Sequence, residues 1–152
     1  MHRRRATTGW LSSPETCACT RRAVLAIAAA ALFTPRAKAA PAEHQEFIEA
    51  AFWMKDEAVR GGDQPFGAVV VKDRRIIGFG PSRVIARKDW TAHAEREAMR
   101  AAHGRLGSLD LSGCLLYSTS RPCANREAAA AAAGIARMFH GRDAADAGVP
   151  RG

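Results

Sequence analysis

Three side chains capable of metal and proton chemistry occur in two short motifs of this sequence. His93 and Glu95 are separated by one alanine, and Cys123 follows Pro122 at the start of an alanine-rich stretch. Imidazole and thiolate groups bind zinc in proteins, and a nearby carboxylate can accept and return a proton. A catalytic zinc ion usually has three protein ligands, but the position three residues after Cys123, where a second cysteine is expected, holds Arg126. The motifs therefore predict a metal-dependent hydrolytic site with one altered ligand position.

Arginine cannot replace the missing thiolate, because its guanidinium stays protonated and has no lone pair for a cation. His103 follows His93 by ten residues on the same predicted helix, about 15 Å along the axis, and is too far away. Cys114 begins a predicted strand whose other end carries the site. His140, near the end of the next strand, stays open as a substitute ligand. Glu95 could bind the metal only by giving up its role in proton transfer.

The chain between residue 40 and the first motif predicts one helix and two strands. Apolar residues recur at helical spacing in "PAEHQEFIEAAFWMKDEAVR", and "GGDQP" ends that helix. The valine-rich run "FGAVVVKD" is typical of a buried strand. A hairpin turn at Asp73-Arg74 then leads into a second strand, "RIIGFG".

Each motif lies at the start of a predicted helix. Thr91 is predicted to cap the first of these helices, which ends at Gly104 or Gly107, and Pro122 is predicted to open the second. "GCLLYSTS" and "IARMFHG" are predicted strands before and after the second helix, and the tail "RDAADAGVPRG" has no clear element. The order α-β-β-α-β-α-β predicts an α/β domain with helices on both faces of the sheet. The two helix N-termini can then converge, and their free N–H groups favour a thiolate or a hydroxide.

The motifs and their flanking segments resemble the cytidine/deoxycytidylate deaminase superfamily, and most of all its guanine-deaminase and tRNA-adenosine-deaminase branch. The resemblance covers nearly all of residues 42–149. It rests on His-Ala-Glu at 93–95, Pro-Cys-Ala-Asn-Arg at 122–126, and the segments "PFGAVVVKD", "LSGCLLYSTSRPC" and "AGIARMFHGRDAADAG". It implies a three-layer α/β/α cytidine deaminase-like fold with a mixed sheet. Residues 40–152 would form the deaminase domain, which is shorter at its C-terminus than in the family.

The resemblance also implies a role for each residue of the site. His93 and Cys123 would bind Zn²⁺, with Arg126 at the usual third-ligand position, and Glu95 would carry protons during hydrolysis and the release of ammonia. Three further positions, implied to contact the substrate, are Phe66, Ser82 and Ala94. Ser82 stands where the family usually has an asparagine. The implied partner is a small nucleobase or nucleoside, bound by a homodimer.

Arg126 leaves three functional hypotheses open. The first is an active zinc-dependent hydrolytic deaminase of a purine or pyrimidine base, similar to guanine deaminase, with an unusual metal site. The second is a catalytically impaired pseudoenzyme in which Arg126 pairs with Cys123 or with Glu95. The third is a nucleic-acid editor similar to tRNA adenosine deaminases.

The N-terminal segment has the composition of an export signal. Two adjacent arginines, an 11-residue apolar run and small residues before Ala40 occur in the order of a twin-arginine (Tat) signal peptide over residues 1–39, with a basic tail as the alternative. The run is too short to cross a bilayer, so it predicts export to the periplasm without a stable membrane anchor. Residues 1–39 carry +6 of the formal net charge of +8. The remaining +2 on residues 40–152 argues against a nucleic-acid partner.

Overall fold

The computed structural model of the chain describes residues 42–152. The elements of this part are α1 (Ala42–Arg60), β1 (Gly67–Lys72), β2 (Arg75–Pro81), α2 (Val84–Arg87), α3 (Ala94–Leu106), β3 (Leu115–Ser118), α4 (Ala124–Ala132), β4 (Arg137–His140) and β5 (Ala145–Gly148). No helix among them combines the length and the apolar character needed to cross a membrane. The predicted signal peptide over residues 1–39 lies outside the described residues.

The five strands form one mixed sheet in the order β2-β1-β3-β4-β5. β3 and β4 are parallel, and each of the other neighbouring pairs is antiparallel. α1 packs on one face of the sheet, whereas α3 and α4 pack on the other. This arrangement confirms the predicted three-layer α/β/α fold with a mixed sheet.

Strand β1 supplies side chains to both halves of the core. Ala68 and Val70 pack in the cluster with α3 and α4, whereas Val69 and Val71 pack in the cluster with α1. Successive side chains of a strand point to opposite faces of the sheet. A strand covered by helices on both faces therefore requires the continuous apolar run that the sequence shows.

The hairpin between β1 and β2 turns at Asp73 and Arg74, as predicted. Their φ angles are 48° and 59°, the pair of positive values that a type I′ turn needs. The Arg74 guanidinium also donates a hydrogen bond to Glu46 of α1 at 3.2 Å, which ties the turn to the first helix.

Helix α3 begins later than predicted. Its N-cap residue is His93, in extended conformation, so Thr91 does not cap it. The Thr91 hydroxyl and N–H donate hydrogen bonds to Asp89 Oδ1 at 2.8 Å instead, which closes a turn before the helix. Gly107 ends the helix in left-handed conformation at φ 64°, as one of the two predicted terminators.

Helix α4 and the C-terminal tail also differ from the prediction. Cys123 is the N-cap residue of α4, so Pro122 lies just outside the helix that it was predicted to open. The tail contains strand β5, which pairs antiparallel with β4. Its sequence, Ala-Asp-Ala-Gly, has no β-branched or aromatic residue, so propensity alone gives no strand signal.

Two glycines of β2 allow α3 to lie close to the sheet. A Cβ atom on Gly78 or Gly80 would come within 3.0 Å of α3 backbone atoms, including the carbonyl oxygens of Ala98 and Ala94 respectively. The first turn of α3 carries the candidate site, so these glycines set the position of that turn relative to the sheet.

We expect Gly80→Ala to lower the free energy of unfolding by about 1–3 kcal/mol, because the helix must move to admit the methyl group. Denaturant unfolding measures the change. Gly104→Ala is the matched control, since Gly104 lies inside α3 and no atom of the described residues comes within 4 Å of an added Cβ. That variant should be stabilised by about 0.5–1 kcal/mol. A Gly80→Ala protein as stable as the native chain would contradict the close packing of α3.

Candidate functional site

The N-terminal turns of α3 and α4 meet through a buried ion pair. Arg126 Nη1 of α4 donates a hydrogen bond to Glu95 Oε1 of α3 over 2.9 Å. The side chain of Glu95 is 2% exposed and that of Arg126 is 13% exposed. The predicted convergence of the two helix starts therefore occurs in the structure. The guanidinium of Arg126 is hydrogen-bonded to the carboxylate of Glu95, the residue predicted to transfer protons.

A cavity of about 360 Å³ lies beside this ion pair. The residues that line it include Trp90, Thr91, His93, Arg96, Asn125 and Arg126. Phe66 lies on another side of Arg126, with its ring centre 5.8 Å from the guanidinium carbon. The structure thus brings His93, Glu95, Phe66 and Arg126 into one neighbourhood.

In the described range 42–152, each partner of the ion pair keeps one buried polar atom without a hydrogen bond. Glu95 Oε2 is a free acceptor, and the Nε–H of Arg126 is a free donor. Leaving such an atom unsatisfied costs about 1–3 kcal/mol. Both atoms are shielded from solvent, and Glu95 is not among the residues that line the cavity.

The donor atoms around the ion pair do not fit a catalytic zinc ion. Within residues 42–152, no three His, Cys, Asp or Glu side chains are grouped so that they could hold a metal ion. Cys123 has an exposed thiol, and His140 does not complete a set with it and His93. Arg126 offers hydrogen-bond donors but no lone pair. Its positive charge at the third-ligand position repels a cation as well.

The three residues predicted to contact the substrate have different surroundings. Phe66 is partly buried, and Ala94 opens α3, where N–H groups lack helical partners. Ser82 is fully buried, and its hydroxyl donates a hydrogen bond to Asp63 Oδ1 at 2.8 Å. With its proton already donated, the Ser82 hydroxyl could act toward a ligand only as an acceptor.

Asp63 is the main polar residue that sequence reasoning missed. It stands in "GGDQP", a segment whose glycines and proline predict only the end of the first helix. In the structure its carboxylate is buried and hydrogen-bonded to the segment that follows β2. The sequence offers one signal for this role, an acidic residue in a turn shortly before the predicted pocket residue Phe66. It does not identify the hydrogen-bond partners, because the partners of a loop carboxylate depend on tertiary structure.

Thiol-reactive reagents should modify Cys123 in the folded protein and leave Cys114 unmodified. Cys123 is exposed at the start of α4, whereas Cys114 is fully buried and burial raises the pKa of its thiol. Peptide mapping by mass spectrometry after labelling of the full chain measures each cysteine separately. Equal labelling rates for the two residues would show that the core around Cys114 opens readily.

Comparison with known proteins gives a family-level match. The family model for the cytidine and deoxycytidylate deaminase zinc-binding region matches residues 41–142. This range includes both helix starts, the ion pair and the strands between them.

Two curated relatives and one solved structure show which proteins this chain resembles. Guanine deaminase from Bacillus subtilis (strain 168) is 43% identical over 81 residues, which are 53% of this chain and 52% of that protein. The tRNA-specific adenosine deaminase of Agrobacterium fabrum is 38% identical over 100 residues, 66% of each chain. An X-ray structure of guanine deaminase from Bacillus subtilis superimposes with a TM-score of 0.61 at 39% identity, covering 64% of this chain and 62% of that one. The chain thus spans between about half and two thirds of the length of these relatives.

Proposed function

This chain belongs to the cytidine and deoxycytidylate deaminase family, and on that premise we propose that it binds a purine or pyrimidine base but is impaired in hydrolytic deamination. The observation that carries the proposal is the hydrogen bond of 2.9 Å from Arg126 to Glu95. It places a fixed positive charge where the family resemblance implies a zinc ligand. Of the three hypotheses, this geometry favours the second, in which the guanidinium fills the site.

Base binding is supported by the groups that remain. The cavity of about 360 Å³ is lined by Trp90 and by Arg126 of the ion pair, and the Phe66 ring lies outside that lining, 5.8 Å from the Arg126 guanidinium carbon. Trp90 is 80% exposed in the part of the chain that the structure describes, so its indole ring is accessible for stacking on a base. The imidazole of His93 and the guanidinium of Arg126, which line the cavity, offer hydrogen-bonding groups for the polar edge of the base.

The impaired reaction follows from two consequences of the same arginine. A zinc ion would supply the activated water for hydrolysis, and the site keeps only His93 and Cys123 of its implied ligands. Glu95 would have to move protons between water and the ring, but one of its oxygens already accepts a charged hydrogen bond. Arg126 therefore acts against both metal binding and proton transfer.

The relatives point to two different classes of substrate for this chain. Guanine deaminase and tRNA-specific adenosine deaminase match at similar identity, 43% and 38%. The formal net charge of +2 on residues 40–152 favours a small base over tRNA. We propose guanine or a similar free base as the ligand. A homodimer and export to the periplasm by the Tat pathway remain part of this proposal.

The experiment measures binding and turnover separately in the purified full chain. Titration with guanine, cytosine and adenine, followed by tryptophan fluorescence, should show saturable binding of at least one base. Ammonia release from the same bases should stay at the level of a Glu95→Gln control. Phe66→Ala should weaken binding, because it removes the ring that lies beside the Arg126 guanidinium, and Arg126 lines the cavity. No binding of any base would refute the proposal, and turnover well above the control would restore the active-deaminase hypothesis. Binding of RNA that weakens with salt, together with no binding of the free bases, would favour the third hypothesis, a nucleic-acid editor.

A further inference from the structure

A buried carboxylate outside the predicted site joins the loop before β1 to the segment that follows β2. Asp63, in the loop between α1 and β1, is 9% exposed. Its Oδ1 accepts hydrogen bonds from the Ser82 hydroxyl and the Gln64 N–H, both at 2.8 Å. Its Oδ2 accepts from the backbone N–H groups of Ile85 at 3.0 Å and Ala86 at 2.9 Å. One carboxylate therefore receives four hydrogen bonds, three of them from residues about twenty positions away.

Asp63 also provides the cap that helix α2 lacks. The N-cap residue of α2, Arg83, makes no side-chain capping hydrogen bond. The free N–H groups of the first turn, those of Ile85 and Ala86, donate to Asp63 instead. A helix of four residues has almost no stability of its own. The position of α2 therefore depends on the carboxylate supplied by the preceding loop.

Two consecutive residues at the start of the clamped segment connect it to the surroundings of the ion pair. The Ser82 N–H donates to the Phe66 carbonyl at 3.0 Å, which fixes the residue whose ring faces Arg126. The Arg83 N–H donates to the Ala92 carbonyl at 3.0 Å, directly before the His93 motif. Displacement of the segment would therefore be transmitted to the Phe66 ring beside Arg126 and to the side of the cavity that Thr91 and His93 line.

We propose that Asp63 is a positioning residue of the base pocket, which holds Ser82 and α2 in place and so sets the geometry of Phe66 and the loop before His93. The inference rests on the proposed base binding, because affinity for a base is its functional consequence. Asp63 does not contact the base.

The electrostatics of Asp63 agree with this role. Burial by itself raises the pKa of the carboxyl, but the hydrogen bonds from Ala86, Gln64, Ser82 and Ile85 outweigh it, so the pKa lies below the ordinary value of 3.8. The group thus stays charged at neutral pH. Its contribution to stability, present above the unfolded pKa, is lost only as the pH falls through the lower folded pKa.

The test compares guanine affinity in variants of the full chain at a temperature where circular dichroism shows each to be folded. Asp63→Asn keeps the shape but replaces one acceptor oxygen with an NH₂ group, so hydrogen bonds of the clamp are lost. We expect about a tenfold weaker affinity for Asp63→Asn and about a threefold weaker affinity for Ser82→Ala. A folded Asp63→Asn protein with native affinity would overturn the proposal.

Two controls separate positioning from general destabilisation. Asp110→Asn alters a similar aspartate, which accepts hydrogen bonds from the N–H and hydroxyl of Ser112 in an exposed loop. Ile48→Val weakens the core on the α1 face of the sheet. Both variants should keep native guanine affinity. If Ile48→Val lost as much guanine affinity as Asp63→Asn, general destabilisation would explain both losses, and the proposal would be overturned.

Amide hydrogen exchange, followed by NMR without ligand, tests the clamp independently of base binding. The amides of Ile85 and Ala86 should exchange slowly in the native chain and much faster in Asp63→Asn, but not in Asp110→Asn. If Asp63→Asn fails to fold, Ser82→Ala carries the test, and native exchange together with native affinity in that variant would overturn the proposal. Faster exchange in Asp63→Asn combined with no base binding by the native chain would support the clamp and refute the proposed function.

Discussion

Replacing Arg126 with cysteine is expected to raise the zinc content of the purified full chain from a small fraction of an ion towards one ion per chain. The variant gains a third ligand of the type that catalytic zinc sites use and loses a positive charge at that position. It also frees both oxygens of Glu95, one of which accepts from Arg126 in the native chain. Inductively coupled plasma mass spectrometry after dialysis measures the zinc, and ammonia release from guanine measures any recovered turnover.

Arg126→Ala is the matched control for this substitution. It removes the guanidinium but provides no ligand, so we expect much less zinc than in Arg126→Cys. Equal zinc in the two variants would mean that the positive charge alone excludes the ion. An Arg126→Cys protein that binds no more zinc than the native chain would show that His93 and Cys123 are not placed to ligate, which contradicts the family-derived roles of these residues.

Breaking the ion pair from one side is expected to destabilise the fold strongly. Arg126→Met leaves the carboxylate of Glu95, 2% exposed, without its charged partner. Removing one member of a buried ion pair typically costs about 3–5 kcal/mol, and we expect about 3 kcal/mol here because Arg126 is partly exposed. Denaturant unfolding monitored by circular dichroism measures the loss.

The double variant Glu95→Gln/Arg126→Met completes a mutant cycle. With both charges gone, no uncompensated ion is buried, so the double variant should be more stable than Arg126→Met alone. Arg137→Met is a control on an exposed pair, in which Arg137 donates to Asp146 at 3.1 Å, and it should cost less than about 1 kcal/mol. Additive effects of the two single substitutions at the site would show that Glu95 and Arg126 do not interact.

The fold could be predicted because its signals are local and strong. The valine run of β1 marks a strand covered on both faces, and the turn at Asp73 and Arg74 fixes the hairpin beside it. The meeting of the two helix starts also follows from topology, since α3 packs on β1 and β2 and α4 connects the parallel strands β3 and β4. Short motifs at the starts of these helices were therefore sufficient to locate the site.

The contacts within the site could not be predicted to the same degree. The sequence left Arg126 a choice between Cys123 and Glu95, and only the packed geometry shows Glu95 as the partner. The hydrogen bond from Ser82 to Asp63 joins residues 19 positions apart across the β1–β2 hairpin, without a periodic pattern to indicate it. Strand β5 is formed by pairing with β4 and not by propensity.

The central claim is that Arg126 pairs with Glu95 and keeps zinc out of the site. The most direct test is X-ray diffraction at the zinc absorption edge, from crystals of the native full chain grown with excess zinc. The account predicts no anomalous peak between His93 and Cys123, and a guanidinium of Arg126 within hydrogen-bonding distance of Glu95. A strong peak bound by His93 and Cys123, with Arg126 turned away from Glu95, would contradict it.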